Sequence, residues 1–334
     1  MKKIVGLGNA LTDILIHIGS DAVLEEFGLR RGSMNLVDTK FQKELSEYVS
    51  EMPHALSVGG STSNTIRSMA RFGIQTGYIG KVGTDTTGDF FRQAMDGLGI
   101  RSHILNGTLP SGRCISLISP DGERTMCTYL GAAIEMQDSE IVPDMLAGFD
   151  CLYVEGFQVQ NRELITGIVR LAREMGMQVA MDLASYNIVE ENLGFLKELA
   201  AGYVDIIFAN ELEAEAFTGH SNPLEALDAL SHYGKNLTIV KAGAEGAYMK
   251  YQGEVDHTGV LPGIKCIDST GAGDLYSAGF LTGLCRGLTV RQCAIIGAVA
   301  GGKCTEVDGT TFPEELWDEI RTLARQVEEG TFKL

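Results

Sequence analysis

The chain reads as an α/β protein of three layers, with a mostly parallel central sheet, helices on both faces, and a small β-rich lid. Two observations predict this. Short apolar runs alternate with longer amphipathic segments along most of the 334 residues, the pattern of strand–helix units whose strands pair in parallel. Two stretches, 13–55 and 103–130, break the alternation with short β-like runs such as 14–18, 35–37 and 114–118. They fit insertions forming a small sheet, with a helix-like segment over 40–49. Residues 1–12, 56–102 and 131–334 then form the nucleotide-binding α/β domain. No Pro/Ser-rich linker, repeat or low-complexity tract separates the parts, so the lid belongs to the same folding unit.

Strands are predicted over 3–8, 76–82, 151–155, 178–182, 205–209 and 238–242, from compact apolar runs ended by glycine or polar residues. Helices are predicted over 62–72, 87–98, 162–175, 223–233, 272–286, 290–304 and 314–327, from apolar residues at helical spacing. In such folds ligands collect at the carboxyl ends of the strands.

Bulk properties narrow the function classes. The formal net charge is −17 and the pI about 4.8, so an acidic surface repels nucleic-acid polymers and anionic membranes. Nucleotides, which bind through local amides, Mg²⁺ and a few cations, remain compatible. The seven cysteines are scattered, with no Cys-x-x-Cys pair, which predicts reduced thiols and a cytoplasmic location. No stretch reaches membrane-span length, and Asn9, Asp13 and His17 interrupt the apolar start that mimics a signal peptide. Small-molecule substrates are the expected partners, and the chain is a monomer or a homodimer.

The most informative string is Asp268-Ser269-Thr270-Gly271-Ala272-Gly273-Asp274, directly before an apolar helical run. Glycines let backbone amides approach an anion, and a helix start offers unpaired N–H groups. A carboxylate at the rim of an anion cradle suits proton abstraction from an attacking hydroxyl. Read alone, Asp274 is also an ordinary helix-start residue. Gly6-Leu7-Gly8-Asn9-Ala10-Leu11-Thr12-Asp13 follows the first strand. It lacks the third glycine of a dinucleotide fingerprint and runs on into strand, where that fold needs a helix. Asp13 instead faces the cleft, where a carboxylate can grip paired hydroxyls. Ser57-Val58-Gly59-Gly60-Ser61-Thr62-Ser63-Asn64 opens a helix and places Asn64 one turn in. Asn210 and Glu213 stand at a strand-to-helix junction, with the chemistry of a helix cap. Lys241, Gly243 and Gly246 end another strand, and Arg113 lies in the second lid segment. No Walker A string, Gly-x-Ser-x-Gly elbow or metal-spaced histidines occur.

These strings resemble the signatures of the ribokinase-like (PfkB) kinases, in the right order from Gly8 to Pro313. The string 268–274 resembles Asp-Thr-x-Gly-Ala-Gly-Asp, with Ser269-Thr270 in the two middle positions. Gly-Gly-Ser-Thr-Ser-Asn and the end Gly-Thr-Thr-Phe-Pro are most similar to the adenosine-kinase branch, as is the start Gly-Asn-Ala-Leu-Thr-Asp, where Ala10 replaces a proline. The resemblance implies a ribokinase-like sandwich and Mg²⁺-dependent transfer of the ATP γ-phosphoryl group to a hydroxymethyl group. It implies that Asp274 is the general base and that the amides of Gly271, Ala272 and Gly273 form the anion hole. Asp13, Gly59, Gly60 and Asn64 would hold the acceptor, with Phe157 near the place of an aromatic that meets a purine; core packing is its other reading. Asn210, Lys241, Gly243 and Gly246 would face the nucleotide, and Glu213 would order Mg²⁺ through water. Backbone carbonyls in the stretch 307–313 and around Asp268 and Thr270 hold a monovalent cation in several relatives, which implies K⁺ there. A nucleoside is the first acceptor and a simple sugar such as ribose or fructose the second. A catalytically dead binding protein is the third reading, disfavoured because Asp274 and the glycines are intact.

Overall fold

A computed structural model describes residues 1–120 and 123–334. Fourteen strands are present among them: β1 (Lys3–Leu7), β2 (Leu11–His17), β3 (Met34–Leu36), β4 (His54–Gly59), β5 (Gln75–Val82), β6 (Arg101–Asn106), β7 (Gly112–Ile118), β8 (Arg124–Tyr129), β9 (Cys151–Glu155), β10 (Gln178–Asp182), β11 (Ile206–Asn210), β12 (Leu237–Lys241), β13 (Ala247–Tyr251) and β14 (Glu254–Thr258). Nine form the main sheet in the order β14-β13-β12-β11-β10-β9-β1-β5-β6. It is parallel except at one edge, where β13 pairs antiparallel with both β12 and β14.

The central strands are buried on both faces. Alternate residues supply two separate cores, because successive side chains of a strand point to opposite sides. Val5, Leu7, Leu152, Val154, Val179, Met181 and Ile207 face the helices Arg162–Glu174, Tyr186–Tyr203, Glu211–Thr218 and Pro223–Leu230. Ile4, Tyr153, Ala180, Ile206, Phe208 and Ile239 face the helices Ser61–Arg71, Thr86–Gly97, Ala272–Arg286 and Val290–Cys304. The three-layer α/β/α arrangement predicted from the alternation is thus present. The helix Glu314–Glu328 covers Val290–Cys304 through Trp317 and Ile320. No described helix is long and apolar enough to cross a membrane.

The other five strands form the lid sheet, in the order β3-β8-β7-β2-β4. Its apolar face packs on short helices through Val23, Leu24, Leu45, Ile115 and Leu117. The lid borders differ from the predicted 13–55 and 103–130. Residues 103–106 lie in β6, which pairs in parallel with β5 and extends the main sheet. Residues 11–12 and 56–59 belong to the lid, because β2 pairs with β4 from Leu11↔Gly59 onward. β6 is a half-exposed edge strand, so its alternation resembles that of a lid strand.

Candidate active site

The parallel order β12-β11-β10-β9-β1 sets five carboxyl ends side by side along one edge of the main sheet. Lys241, Asn210, Asp182, Glu155 and the Gly8-Asn9 turn stand there in sequence across the sheet. The helices Ser61–Arg71 and Ala272–Arg286 both begin at this edge, and the lid strands β2 and β4 lead away from it.

Neither helix is capped by its own N-cap side chain, since both N-caps are glycines. Gly60 has a φ of 89°, and a Cβ there would lie 2.3 Å from the Asn9 carbonyl, so only glycine fits. The missing cap comes from Glu155, whose Oε2 accepts from the Thr62 amide at 2.7 Å and whose Oε1 accepts from the Asn9 amide at 3.1 Å. One buried carboxylate thereby fixes both loops; burial is the largest influence on it and raises its pKa. Gly271 has a φ of 77°, and a Cβ there would meet Thr310 Cγ2 at 2.3 Å. The Ala272 amide bonds to Ser269 O at 3.1 Å, and the first helical bond runs from Leu275 N to Gly271 O. The Ala272 amide, expected in the anion hole, is thus taken by Ser269 O, whereas the amides of Gly273 and Asp274 have no intrahelical partner and point out of the helix start.

Asp274 sits on this first turn. Its Oδ1 accepts from Ser61 Oγ at 2.6 Å and its Oδ2 from Asn64 Nδ2 at 2.9 Å. Burial pushes its carboxyl up to about 7; the Ser61 and Asn64 hydrogen bonds oppose this, Asp182 adds to it, and Lys241 opposes it. A carboxyl poised near neutrality is suited to moving a proton. Asn64 was expected to hold an acceptor; its amide is turned onto Asp274 and accepts from Thr310 Oγ1 at 3.1 Å.

Lys241 crosses from β12 to β10, where Nζ donates to Asp182 Oδ2 at 2.8 Å; Ser277 Oγ donates to the same oxygen at 3.1 Å. A Cβ built on Gly273 would lie 3.2 Å from Lys241 Nζ, so the ammonium faces the free amide turn. Glu213 and Asn210 form a reciprocal cap: Glu213 Oε2 accepts from Asn210 N, Oε1 from Asn210 Nδ2, and Glu213 N donates to Asn210 Oδ1, each at 2.8 Å. Burial, then Asp182, raise the Glu213 carboxyl to about 7. No three His, Cys, Asp or Glu groups among the described residues converge to hold a metal unaided. Glu213 accepts one donor at each oxygen and keeps a second lone pair there, so it offers a single carboxylate that suits Mg²⁺, a hard cation that keeps its waters and uses few carboxylates. Gly243 and Gly246 frame the turn after β12; a Cβ on Gly246 would lie 2.0 Å from Thr258 O.

Asp13 lies on β2 beside Gly59, whose absent side chain makes its room: a Cβ there would be 2.2 Å from Asp13 Oδ1. Burial raises the Asp13 carboxyl to about 6, against the pull of Arg67 and Arg124. Phe157 is partly buried on the main core and also lines a groove of about 570 Å³ with Asn9, Ala133 and Ile134. Among the described residues Arg113 pairs with Asp85, at 4.0 Å. Asp268 and Thr270 are already engaged: Arg124 Nη2 lies 2.8 Å from Asp268 Oδ2, and Cys304 Sγ donates to Thr270 O at 3.3 Å. Sequence reasoning missed Asp182, Ser61, Glu155 and Arg124. Only the position of Asp182 and Glu155 at strand ends could have signalled them.

Residues 33–317 match the family described as pfkB family carbohydrate kinase. The crystal structure of adenosine kinase from Sinorhizobium meliloti superposes with a TM-score of 0.87 at 31% identity, over 96% of this chain and 99% of that one. A probable sugar kinase from Rhizobium etli CFN 42 superposes with the same TM-score, 0.87, at 28% identity over 99% of each chain. Among curated proteins, adenosine kinase of Schizosaccharomyces pombe is 26% identical over 92% of this chain and 95% of its own length. The match over most of the chain, the ribokinase-like sandwich and the glycine-started helix at the strand ends agree: the chain belongs to the pfkB family of carbohydrate kinases, and is a phosphotransferase with an alcohol group as acceptor.

Proposed function

We propose that this kinase transfers the γ-phosphoryl group of ATP to the hydroxymethyl group of a nucleoside of the adenosine type, with Asp274 as general base. The observation that carries the reading is the Asp274 site: a carboxyl near neutrality, held by Ser61 and Asn64, beside the free amide turn at Gly273. Asp274 takes the proton of the attacking hydroxyl as the new O–P bond forms and the bond from the γ-phosphorus to the β–γ bridging oxygen breaks, with ADP as the leaving group. The amides at Gly273 and Asp274, with Lys241 over them, bind the charge on the transferring group, and preorganised donors of this kind contribute a few kcal/mol each. Asn210 and Glu213 would order Mg²⁺ through water, and when bound it supplies neutralising charge to the phosphates.

Asp13 is set to accept two hydrogen bonds from vicinal hydroxyls, while the groove at Phe157 and Ile134 offers an apolar face for a base. The names of the Sinorhizobium and Schizosaccharomyces relatives support the nucleoside. A sugar acceptor is the second reading, favoured by the Rhizobium neighbour. Initial rates with Mg·ATP and a panel of nucleosides and sugars decide between them. Adenosine should exceed free ribose by about 10²-fold or more in kcat/KM, because a buried purine contributes a few kcal/mol. Ribose or fructose turning over as well as adenosine would reject the nucleoside.

A further inference from the structure

The string 268–274 is tied to the lid by a buried ion pair. Arg124 opens β8 of the lid sheet, and its Nη2 lies 2.8 Å from Asp268 Oδ2, with the two side chains 7% and 8% exposed. The same nitrogen is 3.5 Å from Asp308 Oδ1. Several neighbouring acceptors are engaged too. Asp268 Oδ2 also accepts from Gly309 N at 2.9 Å, and Oδ1 accepts from Thr270 N at 3.0 Å. Thr270 O takes the Cys304 thiol at 3.3 Å; burial raises that thiol's pKa, so it stays protonated and donating. Thr305 O takes the amides of Ile267 and Asp268, at 2.7 and 3.2 Å.

These oxygens do not fit the monovalent cation that the sequence resemblance implied. Arg124 Nη2 stands between Asp268 and Asp308, where the two strings implied to supply carbonyls meet, so an ion among them would sit beside a guanidinium that is always charged, and Thr270 O already takes the Cys304 thiol. We propose that Arg124 replaces that cation. It supplies the positive charge that a buried Asp268 requires, and so positions the loop carrying Gly271, Gly273 and Asp274 without K⁺. Because the charge is carried on β8, the loop is also fastened to the lid. Arg124 meets the carboxylates of Asp268 and Asp308, and we assign it as a positioning residue acting through Asp268. The effect on turnover rests on the kinase reading, whereas the absence of a cation site does not.

The test compares wild type with Arg124→Ala and Arg124→Gln in chlorides of K⁺, Na⁺ and tetramethylammonium at one fixed total concentration. Melting temperature and initial rate with Mg·ATP and the best acceptor of the panel are read in each. The wild type should melt at the same temperature and turn over at the same rate in all three salts. The variants should melt lower in tetramethylammonium, turn over about tenfold or more slowly, and recover both properties saturably with K⁺. A K⁺-specific rise in the wild type's melting temperature or rate overturns the proposal, and that arm needs no variant to fold. Variants indifferent to the loss of the arginine, or impaired with no K⁺ rescue, overturn it as well. Wild type that turns over no acceptor in any salt rejects the kinase reading, while its melting curves still decide the cation question.

Discussion

Replacing Ser61 by alanine removes the hydroxyl that donates to Asp274 Oδ1 at 2.6 Å and leaves Asn64 Nδ2 on Oδ2 at 2.9 Å. The Ser61 bond is the foremost influence holding down a carboxyl that burial pushes up to about 7. A hydrogen bond to a charged group is worth about 1.5–3 kcal/mol, and one pKa unit corresponds to about 1.4 kcal/mol. Asp274 is only half-buried, and water will take part of the vacated place, so the shift is expected to be about one unit upward. A general base works ionised, so the acid limb of kcat/KM should move from near pH 7 to near pH 8. Activity at pH 7 should then fall about fivefold and return by about pH 9. A pH–rate profile at subsaturating acceptor, read through ADP release, measures it. Glu213 titrates in the same range and has no hydrogen bond with Ser61. A limb that stays in place would therefore assign the titration to Glu213 and refute the reasoning; a limb that moves to lower pH would refute it too.

Gly273→Val places a branched side chain over the free amide turn, where the built Cβ meets only the flexible end of Lys241, at 3.2 Å from Nζ. The variant should melt within a few degrees of wild type and bind acceptor in calorimetry, yet lose about 10²-fold or more in turnover. Phe157→Ala removes one wall of the groove beside Asn9; kcat/KM for adenosine should fall about tenfold while ribose is unaffected. Asp13→Ala should reduce both reactions by about 10²-fold, since both acceptors present hydroxyls to it. Equal losses on adenosine and ribose in the Phe157 variant would place that ring in the core alone.

Much of the fold could be read from sequence because the punctuation is local. The helices predicted over 272–286 and 290–304 coincide with Ala272–Arg286 and Val290–Cys304, bounded by Gly271, Gly287 and the Thr289–Gln292 capping box. Strands 151–155 and 178–182 likewise match, being compact runs buried on both faces. The β13–β14 hairpin was missed although Gln252-Gly253, both with positive φ, is a recognisable two-residue turn. The helix Tyr186–Tyr203 carries a weak apolar stripe and a non-helical Asn192, so its periodicity is blurred. At the site, the glycine strings could be read because their chemistry lies within a few residues. The contacts that tune them could not: Ser61 reaches Asp274 across 213 residues, and Arg124 meets Asp268 only when the lid sheet stands against the last strings of the chain. Nothing near residue 124 distinguishes that arginine from one on an exposed strand edge.

The most direct test of the account is Asp274→Asn, nearly isosteric but unable to take the proton, assayed for phosphoryl transfer from Mg·ATP to adenosine alongside calorimetric titration of ATP. The account predicts that kcat falls about 10²–10⁴-fold while nucleotide affinity is roughly kept. A variant that binds ATP and retains near-normal kcat would remove Asp274 from the chemistry and contradict the account.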